Sequence, residues 1–126
     1  MPKPEIVMNH SVLINVPGIP PTVNHYVKHT RDGRHYVTGA AKNFKRDIVL
    51  CAGKTRLVAK EYSVEINVTL GKGDRGDIDN FAKVCLDGLV DAGIIHSDAA
   101  VTSLYMSKQR GRGECGGTVI IARKIK

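Results

Sequence analysis

The chain has 126 residues, enough for one domain with a hydrophobic core and little room for a second. Hydrophobic content of 42%, with no apolar run near the roughly 20 residues of a membrane span, excludes an integral membrane helix. A formal net charge of +7 points to a polyanionic partner.

Taken in chain order, Val12-Leu13-Ile14-Asn15-Val16 is a β-rich run stopped by Pro17-Gly18 and Pro20-Pro21. From Tyr26 to Val37, Asp32-Gly33 sits between two polar, β-compatible arms, the composition of a tight hairpin turn. From Gly39 the period lengthens. Ala41, Phe44, Ile48, Cys51 and Thr55 predict a helix to about Arg56, with Thr38 as N-cap and Gly53 weakening the last turn. Tyr62 to Leu70 alternates strictly, with Val64, Ile66, Val68 and Leu70 inward and one wet face outward. After a glycine-rich loop, Gly71 to Gly76, a second helix carries the apolar stripe Ile78, Phe81, Ala82, Cys85, Leu86 and Leu89. It ends near Gly93, which suits the C′ position. Val101 to Gln109 and Thr118 to Ile125 read as two closing strands. The expected fold is α+β: a single small domain over residues 1–126, a mixed β-sheet with two main helices.

The junction of the glycine-rich loop with the second helix concentrates the chemistry. Gly76-Asp77-Ile78-Asp79-Asn80-Phe81-Ala82-Lys83 is followed by His96-Ser97-Asp98. Two Asp at i and i+2 of a regular helix would point about 200° apart. If Asp77 is extended and Asp79 opens the helix, both can face one ion, and clustered carboxylates are the ligands Mg²⁺ or Mn²⁺ takes. The competing explanation for Asp77 is an N-cap favoured by the helix dipole. Along the same helix Asp79, Lys83, Asp87 and Asp91 form an i, i+4 ladder, in which Asp87 and Asp91 read as ordinary surface ion pairs.

Charge is distributed in blocks. Residues 1–60 hold ten Lys/Arg against three acids, residues 61–98 three against eight, and residues 99–126 six against one. An acidic centre between basic ends suits a nuclease, in which basic surface holds DNA and a few acids hold metal. A basic protein with one acidic helix is the plainer alternative. Asn24, Lys28, Arg31, Arg34, Lys72, Arg75, Arg110 and Arg112 are the candidate DNA contacts, with Arg110 and Arg112 open to the simpler reading of a solvated turn.

Other patterns carry less. His10, His25, His29 and His35 lack cysteine partners for zinc, and the hairpin fits DNA backbone or a splayed base better. Gly111 to Gly116 matches G-x-G-x-x-G but precedes a strand, so a dinucleotide site fails its context. Cys51, Cys85 and Cys115 are odd in number and lack C-x-x-C spacing, so reduced thiols and a cytoplasmic protein are expected. Met1-Pro2-Lys3-Pro4 reads as a frayed end, not a leader.

The segment Asp77-Ile78-Asp79-Asn80-x-x-Lys83, then Asp87-Gly88-Leu89, Ala92-Gly93-Ile94 and Ser97-Asp98, resembles the RusA family of Holliday-junction resolvases. Pro20-Pro21-Thr22-Val23-Asn24-His25-Tyr26 is similar to the family's P-P-x-x-N segment, and the order and length agree over most of the chain. One departure is Ser97, where the family often has a second Asp beside the one matching Asp98. The resemblance implies a phage- or prophage-encoded endodeoxyribonuclease that resolves four-way DNA junctions by paired symmetric nicks in recombination and repair, acting as a homodimer. It further implies Asp77, Asp79 and Asp98 as metal-binding catalytic carboxylates for Mg²⁺, with Mn²⁺ as substitute, and Lys83 as the lysine of the site. Two other readings stand beside it. One is a catalytically inactive protein of the same fold that binds junctions or single strands. The other is a DxD-type glycosyltransferase, for which the chain lacks the length.

Overall fold

The computed structural model describes residues 10–21, 27–29 and 35–126. Among these residues six strands and two helices follow in the order β1 (Ser11–Pro17), β2 (Val27–His29), β3 (His35–Val37), α1 (Gly39–Ala52), β4 (Tyr62–Leu70), α2 (Ala82–Asp91), β5 (Val101–Arg110) and β6 (Gly117–Lys124). Short 3₁₀ turns at Ile78–Phe81 and Asp98–Ala100 lead into α2 and β5. The main sheet runs β1-β6-β4-β5, and β2 pairs with β3 as a separate antiparallel ribbon. Strands β1 and β4 pair antiparallel with β6, whereas β4 and β5 are parallel, with Val68 opposite Lys108 and Leu70 opposite Arg110. The sheet is therefore mixed, and the fold is the α+β type expected. A parallel pair needs a crossover, and the loop, α2 and the Asp98 turn are that crossover.

Alternation explains which face is covered. Val12, Ile14 and Val16 of β1, Val64, Ile66, Val68 and Leu70 of β4, and Ile120 and Ala122 of β6 are all buried. They meet Phe44 and Ile48 of α1 and Val84, Cys85 and Leu89 of α2, with Phe81, Ile94 and Ile95 closing the core. The helices cross at Gly88, where an added Cβ would run into the Ile48 side chain. Burial pushes the Cys85 thiol well above its usual range, so it packs as an inert hydrophobe. No helix among the described residues is long and apolar enough to cross a membrane.

Local signals hold in detail, with two corrections. Thr38 is the N-cap of α1, its Oγ1 accepting from the Ala41 N–H at 3.3 Å. Helix α1 ends at Ala52, short of Arg56, because Gly53 turns to φ +68° and breaks the hydrogen-bond ladder. Regular helix after the loop begins at Ala82; Ile78–Phe81 is wound more tightly as 3₁₀. At the other end, the Gly93 and Ile94 N–H groups donate to Val90 and Leu89 carbonyls at 2.9 and 3.0 Å, with Gly93 at φ +76°. That is a Schellman motif, and buried Ile94 and Leu89 supply its apolar contact. The Tyr26–Val37 hairpin exists as the β2–β3 pairing, but its Asp32-Gly33 turn lies outside the described residues.

Candidate active site

The acidic motif stands where β4's extension meets α2. The Gly71–Gly76 loop is fixed from three sides. Asp74 Oδ2 accepts from the Gly71 N–H at 2.8 Å, and Lys72 N–H donates to the Gly113 carbonyl at 3.0 Å. The Arg110 guanidinium donates to the carbonyls of Gly71 at 2.7 Å and Asp74 at 3.1 Å. At the loop's end Lys108 Nζ donates to the Gly76 carbonyl at 2.9 Å. Loop, strand end and helix start thus form one supported unit directly ahead of Asp77.

Asp77 is extended, φ −86° and ψ 144°, and Asp79 lies in the 3₁₀ turn that follows. This is the backbone arrangement under which two Asp at i, i+2 escape opposite helix faces. Asp77 occupies the N-cap position, yet its carboxylate makes no capping hydrogen bond, and the Asn80 N–H goes instead to the Asp77 main-chain carbonyl at 3.0 Å. Asp77 thus holds the N-cap position expected of it, but its carboxylate is not used as the cap. Both carboxylates are exposed, and neither has a side-chain hydrogen bond or ion pair among the described residues.

Lys83 connects the helix to the third aspartate. Its Nζ lies 3.3 Å from Asp87 Oδ1 and 3.8 Å from Asp98 Oδ2. Asp98 opens the second 3₁₀ turn, and Ser97 caps that turn, its Oγ accepting from the Ala99 N–H at 3.1 Å. At the position where Ser97 departs from the family pattern, the chain retains a residue that performs the cap. Asp87 and Asp91 form the surface ion pairs expected of them, Asp87 with Lys83 and Asp91 with Lys45 at 3.8 Å. Such pairs contribute roughly 0.2–1 kcal/mol.

The donor chemistry of Asp77, Asp79 and Asp98 fits a hard divalent cation: oxygen ligands, exposed, and in two cases free of competing partners. Among the described residues, however, no three His, Cys, Asp or Glu side chains stand close enough together to hold one ion. The fold brings Asp98 to Lys83 and Asp77 beside Asp79, but it does not assemble all three carboxylates around a common point.

Lys108, near the motif, went unnoticed in the sequence. His96, of the His96-Ser97-Asp98 segment, lies in a cleft of about 380 Å³ shared with Lys45, Asp87 and Asp98. A signal for Lys108 exists in retrospect. On β5, Leu104, Met106, Lys108 and Arg110 share the phase of buried Val64, Ile66, Val68 and Leu70, so two cations occupy core-phase positions on the sheet's edge strand. Of the candidate DNA contacts, Lys72, Arg75 and Arg112 are exposed, and Arg110 is committed at least in part to clamping the loop. Lys28 is placed in β2 by its backbone alone, and Asn24, Arg31 and Arg34 lie outside the described residues.

No individually curated relative matches the chain. The family model described as Endodeoxyribonuclease RusA matches residues 17–121, from the end of β1 into β6 and so across the whole acidic motif. The chain belongs to the RusA endodeoxyribonuclease family.

Proposed function

We propose that this protein is a Mg²⁺-dependent, structure-selective endodeoxyribonuclease that resolves Holliday junctions by paired symmetric nicks, working as a homodimer. The observation that carries the reading is that Asp77 and Asp79 have no side-chain partner among the described residues, on a loop braced by Arg110 and Lys108. Exposed carboxylates unused by the fold, in a chain of net charge +7, are the residues expected to serve a cation and a phosphate.

In this reading Asp77, Asp79 and Asp98, which the fold leaves short of a common point, would draw together to hold the ion, with Mn²⁺ as a substitute. A bound divalent ion would supply Lewis-acid polarisation of the phosphodiester and a more acidic water. Lys83 sits in the first turn of α2, one turn after Asp79, with its ammonium already against Asp98, and it offsets charge that grows on the phosphate. Lys72, Arg75 and Arg112, with the basic N-terminal block, grip the backbone and give binding a steep dependence on salt. Two such subunits related by a two-fold axis present two sites to the two equivalent strands of a junction.

A supercoiled plasmid extruding a cruciform tests this directly. Linear product with Mg²⁺ and none without it is the expected result, and mixing in Asp79→Asn chains should shift product to nicked circles. Junction binding with no cutting under either condition would make the protein an inactive binding relative. Linear product unaffected by the mixed-in variant, together with a monomer by light scattering, would remove the dimer.

A further inference from the structure

We propose that a cleft at the start of α1 receives one unstacked nucleobase next to the scissile phosphate and prefers adenine or cytosine to thymine. The placement beside that phosphate rests on the nuclease reading above; the cleft and its chemistry do not. Its volume is about 360 Å³, within the size range of small-ligand sites. Pro20, Pro21 and Phe44 provide apolar walls, and Asn43, Asp47 and Arg75 provide polar groups. Pro20 and Phe44 are buried against the core, so those walls are fixed. A few converging polar groups within apolar walls are what a flat heteroaromatic ring with a polar edge requires.

Asn43 and Asp47 are four residues apart on α1 and share one helix face. Neither they nor Arg75 has a side-chain hydrogen bond or ion pair among the described residues, although all three line the same cleft. Asp47 is one of only three acids in the 60 residues that carry ten Lys/Arg. Facing a phosphate, its carboxylate would repel; facing an exocyclic amine, it accepts a hydrogen bond. The Asn43 amide can then donate to the adjacent ring nitrogen. Adenine and cytosine both offer that amine beside an acceptor nitrogen. Thymine turns a carbonyl toward Asp47 and leaves two acceptors opposed. Arg75 ties the cleft to the acidic site, because it lies two residues before Asp77.

The test uses immobile four-way junctions in which each base flanking the branch point is set in turn to cytosine, adenine or thymine. Cut sites are mapped with Mg²⁺, and affinity is measured without metal. At one position, thymine should weaken binding and cutting by about tenfold relative to cytosine or adenine. Asp47→Ala and Asn43→Ala, each checked for an unchanged unfolding midpoint, should each flatten that difference. Cutting that ignores the base, or a preference that survives both substitutions, would overturn the pocket and leave the nuclease standing. A base preference in binding that both substitutions remove, with no cutting at all, would keep the pocket and overturn the nuclease.

Discussion

Arg110 reaches across 39 residues of sequence to Gly71, its Nη1 donating to the Gly71 carbonyl at 2.7 Å. The same guanidinium holds the Asp74 carbonyl at 3.1 Å, so one side chain from the end of β5 spans the loop that leads to Asp77. Hydrogen bonds from a charged donor contribute about 1.5–3 kcal/mol each when well shielded, and less at a partly exposed site such as this. Arg110→Ala should lower stability by about 1–2 kcal/mol in urea unfolding. It should also reduce cleavage more than it weakens junction binding, because it loosens the loop and leaves most phosphate contacts intact. A loss of affinity equal to the loss of cutting would mean that Arg110 acts mainly on DNA.

Replacing any one of Asp77, Asp79 or Asp98 by Asn is expected to abolish Mg²⁺-dependent cutting. Binding should be retained or tightened, since each change removes negative charge that repels phosphate. Asp77 and Asp79 have no side-chain partner to lose among the described residues, so their Asn variants should unfold within about 0.5 kcal/mol of the parent. Undiminished cleavage by one variant would exclude that residue from the site.

Ser97 sets the turn that carries Asp98. Ser97→Ala removes the acceptor for the Ala99 N–H and should cost about 0.5–2 kcal/mol. Ser97→Asp restores an acceptor and should restore stability. If the position serves only as a cap, Ser97→Asp will also cut at the parental rate. An increase in metal affinity, read by titration of Mn²⁺, would show that an acid there adds a ligand.

Gly88 marks the closest approach of the two helices, and a methyl group there meets Ile48. Gly88→Ala should destabilise by about 1–3 kcal/mol despite the better helix propensity of alanine. Pairing it with Ile48→Val, which retracts the clashing carbon, should recover part of that loss. A stabilised single variant would show that α1 can shift away from α2 at little cost.

The amino-acid sequence by itself determined the elements and their faces. The alternation of Val64, Ile66, Val68 and Leu70, the Thr38 cap and the Gly93 stop are local patterns of period 2 or of helix ends, and they hold wherever the segment packs. It also determined the motif, since Asp77, Asp79 and Lys83 lie within seven residues of one another. The tertiary structure alone decided what those residues meet. The parallel register of β4 with β5 brings Lys108 to Gly76 and Arg110 to Gly71, and the turn after α2 returns Asp98 to Lys83. Register between distant strands is set by burial across the whole sheet, and no local period encodes it. For the same reason no local pattern joins Asn43 and Asp47 to Arg75, because only the packing of α1 beside the loop gives them a common cleft.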